Sequence, residues 1–257
     1  MKTQALPSAK ATNTQAAFGK KGKNMNTFQI ECAGFIIEIG YSHESTKERC
    51  KEYIVTSPSS DIIVHPTATH IKIAEKYMEN ESAEEVEFSS ILCALHEALI
   101  STNAAIFHAA VLEKDGEGYA FAGKSGIGKT THVKLWQEVF DDVTIINGDK
   151  PILTVEDKVY VSGSPWCGKE GYNTNKTVPL KAICFIERAD TPSISRLSGK
   201  EVIDRIFYQF SVPFENAILR MKSIAIADRL IKTVPFYLLK CDISHEAVKV
   251  AYEEMKK

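Results

Sequence analysis

The sequence predicts an α/β (α+β) fold: a mixed β-sheet flanked by helices and preceded by a small β-rich N-terminal subdomain. Three observations carry that expectation. Short apolar runs with strand-like alternation fill residues 27–74. At Gly123 the pattern switches from strand period to helix period across a glycine-rich turn. From there to the C-terminus, short strands and amphipathic helices are mixed.

Taken in order, FQIECAGFIIEIG, KEYIVTS, DIIVHP and THIKIAE read as strands, with Pro58, Ser59 and Pro66 among the turn residues between them. A helix is expected over 83–102, because Ser82 and Glu85 form a capping-box pair and Phe88, Ile91, Leu92, Leu95 and Leu99 recur at helical spacing. Residues 104–113 (AAIFHAAVLE) and 118–123 (GYAFAG) make a hairpin around Lys114, Asp115 and Gly116. Strands follow at 143–147, 151–155, 158–162 and 180–187, then helices at 199–210 and 214–232, a strand at 235–241 and a closing helix at 245–256.

This places a β-rich subdomain at 25–82 and a larger domain at 83–257. Residues 1–24 hold five lysines and no acid, and are poor in apolar side chains. They read as a disordered tail or an appended segment, since they cannot bury enough apolar surface to offset chain entropy.

The 257 residues are 44% hydrophobic and 25% charged, with a formal net charge of -2. That composition excludes collagen-like and low-complexity classes, and the charge balance points to neither nucleic acid nor an anionic membrane as partner. No run approaches the ~20 apolar residues of a membrane span. The six cysteines are widely spaced with no C-x-x-C pair, so they read as reduced thiols in a cytoplasmic protein, without a zinc site. A homo-oligomer is compatible with all of this.

Residues 123–130 spell GKSGIGKT, which fits the phosphate-loop pattern G-x-x-x-x-G-K-[ST] between a strand and a helix. Gly123, Gly126 and Gly128 let the backbone turn its amides inward, so that the N–H groups of Lys124, Ser125, Ile127, Lys129, Thr130 and Thr131 and the helix N-terminus can face an anion. Lys129 then supplies a point charge for phosphoryl oxygens, and the Thr130 hydroxyl suits Mg2+. Such a site also needs an acid at a neighbouring strand end; Asp149, after VTIIN and Gly148, stands there as base or metal ligand. His132, in the first turn of the helix, is expected to pack outside the phosphate shell.

Residues 162–179 (SGSPWCGKEGYNTNKTVP) combine three glycines, a Trp and a Lys, and read as a lid. Lys169 is either a solvated loop cation or a stabiliser of charge on a transferred phosphoryl group.

The segments HAAVL, YAFAGKSGIGKTTHVKLW, INGDKP and SPWCGK resemble the kinase core of the HPr kinase/phosphorylase family, which is similar in turn to the nucleotide core of ATP-dependent phosphoenolpyruvate carboxykinases. The resemblance covers about 104–190. It implies that the phosphate-loop strand lies between antiparallel neighbours, that His108 and Asp149 belong to the catalytic group with Asp149 as general base, and that Mg-ATP drives phosphoryl transfer to a hydroxyl. The family's paired acids are here Gly148-Asp149, and Glu187-Arg188-Ala189 echoes only part of its Glu-Arg-Gly signature. Phosphorylase chemistry and HPr as substrate therefore do not carry over.

The expectation is a kinase with ATP and Mg2+ as cofactors, acting on a Ser or Thr hydroxyl of a peptide or small protein, or on a hydroxy metabolite. Two rivals stand beside it. One is a non-catalytic nucleotide-binding regulatory module that recognises a peptide by edge-strand pairing. The other is a carboxykinase-like lyase, for which the chain is about half the expected length.

Overall fold

The computed structural model describes residues 25–210 and 216–257. The tail at 1–24 lies outside the described residues. The chain divides into two compact units, Met1–Thr102 and Asn103–Lys257.

In the first unit, β1 (Asn26–Cys32) and β2 (Phe35–Tyr41) form a hairpin. Its two turn residues, Ala33 and Gly34, both take positive φ, 55° and 79°, as a tight hairpin turn matched to strand twist requires. Helix α1 (Glu44–Arg49) and a 3-10 turn at Lys51–Tyr53 follow, then β3 (Ile54–Val55) and β4 (Ile62–Val64). The sheet order is β3-β1-β2-β4, with β4 parallel to β2. Helices α2 (Ala68–Tyr77) and α3 (Ala83–Ile100) complete the unit.

Two sequence readings fail here. THIKIAE is helix, not strand: Thr67 caps α2, and the His70 ring completes a capping box by accepting from the Thr67 N–H at 3.0 Å. The alternation of Ile71 and Ile73 imitated a strand, yet the buried positions are His70 and Ala74, one helical turn apart. KEYIVTS likewise contributes only two strand residues after its 3-10 turn. Helix α3 appears as expected, its Ser82 hydroxyl accepting from the Glu85 N–H. It packs on α2 and β4, so the division of the chain falls after it and not at residue 82.

The second unit runs β5 (Ala104–Ile106), β6 (Ala109–Lys114), β7 (Glu117–Ala122), α4 (Lys129–Val139), β8 (Thr144–Asn147), β9 (Ile152–Val155), β10 (Val159–Ser162), β11 (Thr177–Arg188), β12 (Ser193–Arg196), α5 (Gly199–Ile206), α6 (Ala217–Thr233), β13 (Phe236–Cys241) and α7 (His245–Met255). A 3-10 turn, Phe207–Gln209, follows α5. The first two residues of the helix expected over 214–232 lie outside the described residues. Nine strands form one mixed sheet in the order β5-β9-β10-β11-β7-β6-β8, with β13 on β11 and β12 on β13.

Twelve-residue β11 is the junction. Its first residues pair antiparallel with β10, and after a register shift between Leu180 and Ala182 it runs parallel to both β7 and β13. Strand β7 is therefore antiparallel to β6 on one side and parallel to β11 on the other. The antiparallel setting implied by the family resemblance holds on one flank only. The expected single strand at 104–113 breaks at Phe107-His108, because β5 and β6 join opposite ends of the sheet. Strand β12, polar and largely exposed, carried no apolar signal in the sequence.

Helices α4 and α7 bury Val133, Trp136, Val248, Ala251 and Met255 against Tyr119 and Phe121 of β7. His132 joins this core: its ring meets Phe121 edge-on at 4.7 Å, and its Nε2 accepts from Trp136 Nε1 at 3.1 Å. The accepting Nε2 makes the ring a neutral Nδ1-H tautomer, and the buried Nδ1 finds no partner among the described residues. Burial pushes the imidazole down to about 4. His96 in α3 is driven down to about 4 by the same cause.

Because both histidines are neutral when folded and protonate near 6.5 when unfolded, the unfolded chain binds the extra protons between about pH 6.5 and 4. Stability is unaffected by them above pH 6.5 and falls as pH drops through that window, by up to about 3 kcal/mol per ring. Urea unfolding at pH 7, 6 and 5 is expected to show this decline, and His132→Gln, which still accepts from Trp136, to flatten the part belonging to the second unit. An unchanged slope in His132→Gln would remove His132 as the cause.

Candidate phosphate-loop site

Strand β7 ends at Ala122, and the glycine loop links it to α4. Gly123, Gly126 and Gly128 all have positive φ, at 147°, 73° and 115°, which L side chains rarely adopt. Gly123 is also hemmed in, since a Cβ there would lie 3.3 Å from Ile127 Cγ2 and 3.4 Å from the Ile186 carbonyl oxygen. Gly128 caps α4 without any side-chain hydrogen bond, which leaves the first-turn N–H groups, including those of Lys129, Thr130 and Thr131, without an intrahelical partner. Lys124, Ser125 and Gly126 are exposed, while Ile127 is anchored in the core beneath. Arg188, at the end of β11, donates from Nη2 to the Gly126 carbonyl at 2.7 Å and from Nε to the Ile127 carbonyl at 3.4 Å.

The Lys129 ammonium folds back over the loop, donating to the carbonyls of Gly123 and Lys124 at 3.2 and 3.3 Å. It is buried. Desolvation lowers its proton affinity, Asp149 partly restores it and Lys150 lowers it again. The turn at 149–150 thus lies within electrostatic reach of the Lys129 ammonium.

Asp149 is held from two sides: Oδ1 lies 3.1 Å from His108 Nε2 and Oδ2 lies 3.2 Å from Lys150 Nζ. Burial raises its proton affinity, but the His108 hydrogen bond and the Lys150 charge outweigh it and hold the carboxyl down at about 2. His108 sits at the break between β5 and β6, its N–H donating to the Gln209 carbonyl at 2.7 Å. The Ala109 N–H donates to the Asp149 carbonyl at 3.1 Å, which fixes the start of β6 to the turn.

The turn itself is set by buried Asn147. Its Oδ1 accepts from the N–H groups of Asp149 and Lys150 at 2.8 and 2.7 Å, and its Nδ2 donates to the Ser164 carbonyl at 3.0 Å. This ties the turn to the segment after β10.

That segment is not the lid the sequence suggested. Ser164, Pro165 and Trp166 are buried. The Gly148 N–H donates to the Tyr172 carbonyl and the Thr174 N–H to the Ile146 carbonyl, each at 2.9 Å. Gly163 abuts the Thr174 carbonyl too closely for any side chain, so its small size serves packing and not hinge motion. Residues 168–171 form an exposed tip, and 175–177 are exposed beyond it. Lys169 stands there, next to Gly168, whose added Cβ would lie 3.2 Å from Asp149 Cβ.

Of the residues named from sequence, the structure thus brings Lys129, Asp149 and His108 together near the glycine loop and leaves Lys169 exposed at the 168–171 tip. Sequence reasoning gave no role to Asn147 or Lys150 and met Arg188 only as part of a signature echo. An Asn closing an otherwise apolar strand was a usable signal for the first, since a buried amide must find partners.

The model of the family described as "SynChlorMet cassette protein ScmC" matches residues 72–249, more than half of the chain. The chain belongs to that family. The ScmC description names no reaction and no ligand. No curated protein matches the chain. Among solved structures, the chain is similar to the Hpr(Ser) kinase/phosphatase from Coxiella burnetii over 59% of this chain and 99% of that one, at 13% identity and a TM-score of 0.34.

Asn147→Ala strips the partners from two turn N–H groups and from the Ser164 carbonyl. It is expected to lower unfolding free energy by about 2 kcal/mol or more in denaturant titration, with the turn at 148–150 losing amide-exchange protection first. A loss under about 0.5 kcal/mol would show that the turn holds without it.

Proposed function

We propose that the chain is a Mg-ATP-dependent kinase that transfers a phosphoryl group to a hydroxyl of a peptide, a small protein or a hydroxy metabolite. The observation that carries this reading is the convergence of a positive-φ glycine loop, the Lys129 ammonium and the His108-paired Asp149 carboxylate. The residues fit a nucleotide-borne Mg2+: Thr130 offers a hydroxyl in the first turn of α4 and Asp149 a single carboxylate, while no group of three or more metal-binding side chains occurs among the described residues. Mg2+ typically takes one or two carboxylates and fills its other positions with phosphate oxygens and water, and bound there it would neutralise charge on the phosphates.

In this reading the N–H groups of 124–131 cradle the phosphates, and Lys129 leaves the loop carbonyls to pair with phosphoryl oxygens. The acceptor oxygen attacks the γ-phosphorus, the bond to the bridging oxygen breaks toward the β-phosphate, and the hydroxyl proton passes to Asp149. A carboxyl near 2 is a weak base, which suffices when the transition state is loose and the proton leaves late. His108 keeps Asp149 oriented. Lys169, at the exposed tip beside Asp149, is the candidate for stabilising charge on the phosphoryl group in flight.

The same low value favours a second reading, a nucleotide-binding regulatory module in which Asp149 serves only as a counter-charge. Turnover decides between them. Lys129→Ala is expected to remove nearly all acceptor phosphorylation in a single-turnover assay with labelled ATP while thermal stability holds; activity within about threefold of the parent would defeat the kinase reading. Asp149→Asn is expected to retain ATP binding and to lower turnover by about 100-fold or more. Parallel loss of binding and turnover would place Asp149 with the metal and not with the proton.

A further inference from the structure

Lys150 has no part in the chemistry above, yet it is the closest cation to Asp149 Oδ2, at 3.2 Å, and its charge acts on Lys129. Its side chain is four-fifths buried, which is costly for an ammonium with one partner. Lys150 and His108 therefore flank a single carboxylate whose charge also acts on Lys129. The count leaves excess positive charge in a half-buried site beside a loop shaped for anions. Each Asp149 oxygen already has a partner, so a metal or an acceptor proton reaches Oδ2 only in competition with the Lys150 ammonium while Lys150 stays.

We propose that Lys150 is an exchangeable counter-ion: it pairs with Asp149 as the structure shows and transfers to phosphoryl oxygens when nucleotide fills the glycine loop, which removes its competition for Asp149 Oδ2. The proposal rests on the nucleotide-binding reading and adds a second phosphate-contacting residue to it. The backbone does not have to move, because Asn147 fixes the Lys150 N–H at 2.7 Å and leaves the four-carbon side chain to swing. Exchange of one ion pair for another also avoids stranding a buried charge, which moving Lys150 into an empty site would do.

The test is calorimetric titration with ATP in EDTA, in 0.5 M KCl so that charges not in contact are screened. Lys150→Gln is expected to weaken metal-free ATP binding about tenfold or more, as loss of a charge-assisted contact does, and Lys150→Arg to stay within about threefold of the parent. Asp149→Asn, which releases Lys150, is expected to tighten metal-free ATP several-fold, and that gain is expected to vanish when Lys150→Gln is already present. The paired variant leaves no unmatched charge, so it keeps the comparison available should Lys150→Gln alone fold poorly. A loss under about threefold on removing Lys150 in both backgrounds, or an equal gain from Asp149→Asn with and without Lys150, overturns the exchange while leaving the kinase reading intact. A parent protein that binds no ATP in either EDTA or Mg2+ overturns both.

Discussion

The Asn147 carboxamide joins three stretches of chain, and the candidate site exists because it does. Its oxygen takes two consecutive turn N–H groups and its nitrogen reaches the carbonyl of Ser164, so the end of β8, the turn bearing Asp149 and the segment behind β10 share one buried amide. The Asn147 side chain is fully buried, so losing the amide leaves its partners short of a hydrogen bond where water reaches them only in part. The Ala109 N–H extends the arrangement to β6, and that strand start sets where His108 points its ring. Asp149 is thus positioned by backbone geometry on three elements, and its carboxylate is left for ionic partners.

Those partners match the nearby ammoniums incompletely. Lys129 lies on carbonyls of its own loop, a neutral substitute for an anion, and Lys150 lies on Asp149. Both ammoniums are largely withdrawn from water, where a cation without an adequate counter-charge is held at a cost. A polyphosphate arriving at the loop would satisfy both at once. Under the function proposed above, the charge arrangement would supply part of the driving force for binding a polyanion, independently of the glycine pattern.

The glycine loop was legible in the sequence because its requirement is local: three positions need positive φ, and glycine meets that need without help from tertiary context. Asp149 was legible by its place after an apolar strand. The break at His108 was not, since both sides are apolar and only tertiary pairing sends β5 and β6 to opposite ends of the sheet. Helix α2 was hidden by a two-residue alternation whose isoleucines are not its buried face, and by a capping box that uses His70 where Glu or Gln is expected. The segment from 162 to 179 was misread because glycine has two meanings. Gly163 and Gly168 are there for close approach to Thr174 and Asp149, and sequence alone cannot separate that from hinge freedom. Lys150 carried no signal at all, since a lysine in a polar turn is ordinarily solvated.

Support for the loop comes from beneath and beside it. Ile127 reaches into the core shared with α4 and α7, Arg188 holds the carbonyls of Gly126 and Ile127, and Trp136 is locked between Tyr119, Phe121 and His132 on the helix that follows. Carbonyls tied down on the Arg188 side cannot also turn toward a ligand, so the peptide planes that carry them are biased to present their N–H edges elsewhere. Such a loop needs little reorganisation to receive phosphate, and the adjustment falls on two lysine side chains, which change partners far more readily than backbone does. Under the function and exchange proposed above, that division of labour, fixed amides with exchangeable ammoniums, is what electrostatic preorganisation asks of a phosphoryl-transfer site. If the exchange holds, it bears on the two proposed readings, because a kinase gains from an Asp149 oxygen without a competing ammonium, whereas a module that only binds nucleotide does not.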